Sequence, residues 1–309
     1  MKLVKIGPGL GKRSKLWAIV KKKMKSKDKF APNEKEQVSL DNLAVDKDWM
    51  DLVPAEWQAT YGELFDTACC REPIRQKTKE AIARDVPRTF SLYIEHARYL
   101  RLQFTEDMSS YCAALQCVLE LACHQSYSCG YCQGMNFLAA TFLLSEADCR
   151  SAFILLTYLL RHCHLEILYN PRCSSLLEYM MYFEKRLETH NPTVFKHLQN
   201  EEFPPLCYSI EWFTTCFLVS SPGELSACVL DLMLSGFDDI MIRVGLALMD
   251  HLESVILQSN AEKLQLNFKR MLLLANSVDV MYRALQIPSE NIDGMSRLEV
   301  RNVWSVFFL

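Results

Sequence analysis

A chain of 309 residues has room for one large domain or two modest ones, and with half of its residues hydrophobic it is expected to bury a sizeable core rather than remain disordered. The net charge of −3 conceals a split: residues 1–29 hold ten lysines and Arg13 against one acid, Asp28, a formal +10 that leaves −13 on the remainder. Thirteen scattered cysteines, an odd number, do not suit a disulfide framework, and Met1–Val20 is broken by Gly, Pro and charge where a secretory h-region would be apolar, so the expected setting is the reducing cytoplasm.

The first 29 residues read as a basic extension made flexible by Gly7, Pro8, Gly9 and Gly11. The run Lys21–Lys27 follows Trp17, Ile19 and Val20. Three readings stay open for it: an electrostatic contact with an anionic membrane leaflet, worth about 1 kcal/mol per basic residue near the surface, a nuclear-import signal, or a solvated tail. Residues 30–48 form an approach, and a helical domain is expected over 49–309. Pro32 and Pro54 punctuate this region, and Trp49, Leu52, Val53 and Trp57 supply apolar anchors.

From Tyr61 onward apolar residues recur at helical spacing. Leu92, His96, Tyr99 and Leu100 repeat at three and four. Met108, Tyr111, Cys112, Leu115, Val118, Leu119 and Ala122 make a strong stripe, with Thr105 or Glu106 opening that helix and Ser109 or Ser110 as competing starts. Gly134 lies within or at the start of a helix running through Met135, Leu138 and Phe142. Further helices are expected over Phe153–His164, Ser174–Thr189 and Thr193–Gln199, the last opened by Pro192. Tyr208–Val219, Glu224–Ser235, Ile240–Leu257 and Ala261–Ala275 follow, with turns at Pro204-Pro205 and Ser221-Pro222-Gly223. Alternating β-branched runs are missing, so the fold class is all-α, an irregular multi-helix array in two lobes without a solenoid repeat. The most apolar stretch, Phe137–Leu144, is far shorter than the ~20 residues that a bilayer demands.

Two short segments carry the chemistry. Ile82-Ala83-Arg84-Asp85-Val86-Pro87-Arg88-Thr89 and Tyr131-Cys132-Gln133-Gly134-Met135-Asn136 resemble the paired signatures Ile-x-x-Asp-x-x-Arg-Thr and Tyr-x-Gln-Gly of the TBC domain, the module that activates Rab-type GTPases. Downstream, Glu211-Trp212-Phe213 is similar to the family's Trp-Phe helix. Val229–Gly236 is similar to its Trp-Asp segment, with Leu230 in the tryptophan's place. Ser91 stands near where the family has a proline, and Leu52-Val53-Pro54 matches the family's Gly-(Ile/Val)-Pro only in part. The likeness spans roughly Trp49 to Leu285.

The resemblance implies a bilobal helical fold and a GTPase-activating function in which Arg88 serves as an arginine finger and Gln133 as a glutamine finger. Asp85 would hold the guanidinium, with an N-cap as its other reading. Thr89 would steady the finger segment through its hydroxyl, and Tyr131, Gly134 and Asn136 would shape the surface beside Gln133. The partner would be a Rab-type small GTPase in its GTP-bound form, which itself carries GTP and Mg²⁺. The chain needs no cofactor of its own, and it has no P-loop. The physics suits these residue types. An arginine is always charged and offers a planar fork of donors for phosphoryl oxygens, while a carboxamide has both an acceptor and donors with which to orient the attacking water. Such a chain is no enzyme by itself; it completes the partner's active site. The alternative is a binding module or adaptor that grips a GTPase or another partner without accelerating hydrolysis. No nucleic-acid partner is indicated. Cys129-Gly130-Tyr131-Cys132 and His162-Cys163-His164 have ligand-like spacing, but the second set is not a zinc knuckle, so no metal site is expected.

Overall fold

A computed structural model describes residues 10–25, 48–67, 74–100, 108–125, 130–146, 148–163, 165–169 and 175–289. Among these residues there are thirteen α-helices and no strand. In chain order they are α1 (Leu10–Lys25), α2 (Ala55–Thr67), α3 (Gln76–Leu100), α4 (Met108–Gln125), α5 (Met135–Glu146), α6 (Cys149–His162) and α7 (Ser175–His190). They continue with α8 (Pro192–Asn200), α9 (Ile210–Thr214), α10 (Gly223–Leu234), α11 (Ile240–Ile256), α12 (Ala261–Leu273) and α13 (Ser277–Gln286). Single 3₁₀ turns occupy Trp49–Leu52, Leu165–Tyr169 and Pro205–Cys207.

Local sequence explains most boundaries. Asp148 accepts the Ser151 amide at 2.8 Å and starts α6 four residues ahead of the leucine pattern that suggested Phe153. Asn191 accepts the Val194 amide at 3.1 Å, and Pro192 opens α8 at its first position, as its fixed φ favours. Asn276 caps α13 through the Asp279 amide at 3.0 Å. The starts considered for α4 at Thr105 and Glu106 lie outside the described residues.

Two expectations need correction. The extension read as flexible does not describe residues 10–25, which form α1 with Leu16, Trp17 and Val20 buried in the core. Those three share one side of a helix, and their burial outweighs the flanking charge. Lys23 turns inward to pair with Asp279 at 3.1 Å and lies over the Tyr282 ring. The second correction concerns Tyr208–Val219. Only Ile210–Thr214 is α-helical, because the chain turns left-handed at Cys216 (φ 47°) and Phe217 (φ 64°). Thr214 and Thr215 bond their hydroxyls back to the carbonyls of Ile210 and Glu211 at 2.8 and 2.6 Å, and the Phe217 amide reaches the Trp212 carbonyl at 2.8 Å. The break packs Trp212 and Phe213 against Phe183, with Tyr208 and Phe268 also on Trp212, and brings Phe217 back onto Trp212 and Phe213. Aromatic burial wins over helical continuity.

Helices α2 to α6 pack mainly on one another, and α7 to α13 form a second group that α1 joins through α10 and α13. The α10 segment Leu225–Leu234 is wholly buried between these parts. Its Asp231 accepts the indole N–H of Trp17 on one carboxylate oxygen and that of Trp49 on the other, both at 2.8 Å. One buried carboxylate thus ties α1 and the turn before α2 to the molecule's centre. Leu230, in the place the family gives to tryptophan, is buried beside it. Arg243 of α11 is also buried: it pairs with Asp239 and donates to the carbonyls of Ala284 and Leu285 at 3.0 and 3.3 Å. That contact satisfies orphan groups where α13 ends.

Candidate functional site

Arg88 and Asp85 both lie on α3, three residues apart and therefore on neighbouring positions of one helix face. Pro87 sits between them inside the helix and removes the rung that would reach the Ala83 carbonyl. With serine rather than proline at position 91, the helix continues to Leu100. Asp85 is consequently no N-cap. Its carboxylate is nearly buried and holds the Arg88 guanidinium through Nη2 and Oδ1. Its other oxygen accepts the Tyr131 hydroxyl at 2.7 Å.

Residues 130–134 approach from the chain's next turn, before α5. Arg88 Nη2 also donates to Gln133 Oε1 at 3.1 Å, so the guanidinium and the carboxamide meet although 45 residues separate them. The Arg88 side chain is 52 % exposed, and Gln133 is exposed. Behind them the contacts are buried. Thr89 donates its hydroxyl to the Asp85 carbonyl and accepts from Asn136 Nδ2, both at 2.7 Å. Asn136 Oδ1 in turn accepts the Gly134 amide at 2.9 Å. The two segments are therefore stitched twice, once by Asp85 with Tyr131 and once by Thr89 with Asn136. Burial, and then the bond to Asp85, push the Tyr131 phenol far above its ordinary pKa, which keeps it protonated as a donor.

Gly134 has φ 118° and rests on the end of α9 from the other helix group: a Cβ added there would lie 2.4 Å from the Thr214 carbonyl oxygen. That oxygen accepts the hydroxyl of buried Tyr169 at 2.5 Å. Sequence reasoning missed Thr214 and Tyr169. Both sit where the chain leaves regular helix, and no residue type advertises a seat made from a backbone carbonyl.

All seven candidate residues therefore fall in one cluster: Arg88 and Gln133 outermost, Asp85, Thr89, Gly134 and Asn136 buried, and Tyr131 between. Of the cysteine–histidine set, Cys129 and His164 lie outside the described residues. His162 stacks with Trp57 and Tyr158 and shares a 2.9 Å hydrogen bond with the Tyr61 hydroxyl, and Cys163 donates to the Met233 carbonyl. Among the described residues no group of three or more His, Cys, Asp or Glu is placed to hold a metal, and no helix is long and apolar enough to cross a membrane.

Fold and site together define an all-helical domain that carries a guanidinium and a carboxamide side by side on its surface. The Rab-GTPase-TBC domain model matches residues 12–257, and the chain belongs to that family. The match starts within α1. Among curated relatives, the GTPase activating protein Gyp51 of Schizosaccharomyces pombe is 28 % identical over 199 residues, covering 63 % of this chain and 19 % of that protein. The GTPase-activating protein GYP5 of Saccharomyces cerevisiae is 25 % identical over 209 residues, covering 68 % and 21 %. The human ecotropic viral integration site 5 protein homolog is 29 % identical over 143 residues, covering 46 % and 18 %. The chain thus spans about a fifth of the length of these relatives. Two crystal structures share the fold. The Chlamydomonas flagellar RabGAP TBC domain has a TM-score of 0.59 at 19 % identity, covering 92 % of this chain and 95 % of that one. The Ypt/Rab-GAP domain of Gyp1p has a TM-score of 0.61 at 15 % identity, covering 90 % and 97 %.

Proposed function

We propose that this chain activates GTP hydrolysis by a Rab-type small GTPase in its GTP-bound form, supplying Arg88 and Gln133 in trans. The observation that carries the reading is the exposed contact between these two side chains, backed by buried partners that hold their backbones. Arg88 neutralises charge that develops on the γ-phosphoryl oxygens, and Gln133 orients the attacking water. Asp85 restrains the guanidinium so that less rotamer freedom is lost on docking. GTP and Mg²⁺ come with the partner. When the GTPase docks, the Gln133 oxygen leaves Arg88 for the water, and the guanidinium turns from carboxamide to phosphate while Asp85 keeps its hold. The exposed side of α1, with Lys15, Ile19 and Lys22, adds a peripheral contact with an anionic membrane surface.

A panel of GTP-loaded Rab-type GTPases, followed by phosphate release, tests the reading. Arg88→Ala is expected to cost ~10³-fold or more in the hydrolysis step, the range known for arginine fingers. Gln133→Ala is expected to cost ~10²-fold, as for removal of a positioned donor or acceptor. Both variants should keep the wild-type circular dichroism spectrum. Activity that survives both substitutions would overturn the two-finger assignment, and binding without acceleration across the panel would favour an adaptor.

A further inference from the structure

The Gln133 segment has two anchors in its own half of the molecule, Asp85 with Tyr131 and Thr89 with Asn136. Its third support comes from the other helix group. The α9 helix stops at Thr214 because the next residues turn left-handed, so its last carbonyls need partners other than helical amides. The Thr214 carbonyl faces Gly134 and takes the Tyr169 hydroxyl at 2.5 Å. Tyr169 itself closes the 3₁₀ turn Leu165–Tyr169, packed between α6 and α7. Its position is therefore set by core helices that lie outside both signature segments.

From this arrangement we infer that Tyr169 is a positioning residue for Gln133, acting through the Thr214 carbonyl on which Gly134 rests. The inference builds on the proposed function but concerns a residue outside both signature segments. The carbonyl is a hard stop. Gly134 approaches closely enough that even a methyl group would not fit between them, so any rotation of the Thr214 peptide moves the Gly134 backbone and, one residue before it, the Gln133 carboxamide. The Tyr169 hydroxyl sets that rotation. A buried tyrosine that merely satisfied its own hydroxyl would have no such consequence, because any core acceptor would serve it equally.

Tyr169→Phe removes the hydroxyl and keeps the ring. Two measurements read it. In amide hydrogen exchange on the chain alone, the reporters are the Gly134 amide, bonded to Asn136, and the Met135 amide, bonded to the Cys132 carbonyl at 3.2 Å. Exchange there should rise ~10-fold, the factor corresponding to loss of about one net hydrogen bond. In the phosphate-release assay, kcat should fall ~10- to 100-fold, as for a sub-ångström to ångström misplacement, with KM for the GTPase within about twofold. A double-mutant cycle separates positioning from general damage: on a Gln133→Ala background Tyr169→Phe should add no further loss. An equal proportional loss in both backgrounds would overturn the inference. Unchanged exchange at Gly134 and Met135 would overturn it whether or not any GTPase responds. Faster exchange in a protein that activates no GTPase would support the seat and refute the proposed function instead.

Discussion

Adding one methyl group at Gly134 should be far more damaging than adding it at another glycine of positive φ, and the difference can be worked from the structure. Gly134 has φ 118°, well outside the small left-handed region open to L-residues. Holding a side chain there costs about 1–3 kcal/mol in backbone strain. The methyl also meets the Thr214 carbonyl, with the oxygen at 2.4 Å, the carbon at 3.2 Å and the Thr214 Cβ at 3.3 Å. The nearest of these atoms are backbone and cannot swing aside, so the packed segments must part, at a cost of about 1–3 kcal/mol by analogy with overpacked cores. Together the two effects make Gly134→Ala worth roughly 4 kcal/mol. Gly236 is the internal control: its φ is 85°, and nothing lies within 4 Å of an added Cβ. Gly236→Ala therefore carries only the left-handed penalty, about 1–2 kcal/mol. Urea unfolding of both variants, compared at equal m-value, measures the contrast. If the two agreed within about 0.5 kcal/mol, the ordinary scatter of surface substitutions, the close approach to Thr214 would be refuted.

Three further outcomes are expected. Asn136→Ala strips the acceptor from the Gly134 amide and the donor from Thr89, and unfolding titrations should show a loss of about 2–4 kcal/mol for two deprived buried groups. Asp231→Leu leaves the indole N–H groups of Trp17 and Trp49 without their shared carboxylate; a loss of about 2–6 kcal/mol is expected, with a change in the near-ultraviolet dichroism of those tryptophans, and an unaltered spectrum would count against the bridge. Asp279 supplies a pH dependence. Burial alone would raise its carboxyl, but hydrogen bonds from Arg283, His251 and Lys23 outweigh that and hold it well below the usual range. A carboxyl depressed in the folded state gives stability that is complete above the unfolded value of ~3.9 and is lost as the pH falls through the folded one. In thermal melts the wild-type advantage over Asp279→Asn should be constant near neutrality and narrow below about pH 4.

What was legible in the sequence followed from patterns that are local. Helical spacing in 108–122 and 240–257 marked α4 and α11, and Asn191-Pro192 marked the start of α8, because caps and amphipathic stripes are written within a few residues. The clustering of the seven candidate residues was readable for another reason: two dense motifs, resembling one family, occupy segments that the fold brings together. What stayed hidden depends on distant atoms. Asp85 had two readings until its place in the middle of α3 excluded a cap. The break in α9 arises from aromatic packing against Phe183 and Phe268, which lie far off in the chain. Charge drew attention away from Leu16, Trp17 and Val20, and the buried Trp17 indole finds its acceptor in Asp231, more than two hundred residues later.

The contacts around Arg88 divide between exposed and buried side chains. Arg88 is half exposed and adds little to the core, since an ion pair open to water contributes modestly. Asp85 behind it also serves the Tyr131 hydroxyl and, through its backbone carbonyl, Thr89. On the proposed function, losing the arginine would remove chemistry and spare the fold, whereas losing the aspartate would leave a half-buried phenol without its acceptor and loosen both segments at once. On the proposed function, a docking GTPase would meet a pair already held at 3.1 Å rather than two segments that must first find one another, so its binding energy would not be spent on ordering them. Preorganisation of this kind asks more of the buried residues than of the two exposed ones: Arg88 and Gln133 are expected to be exchangeable singly without unfolding the domain, while Asp85, Asn136 and Gly134 are bound by the core in which they sit.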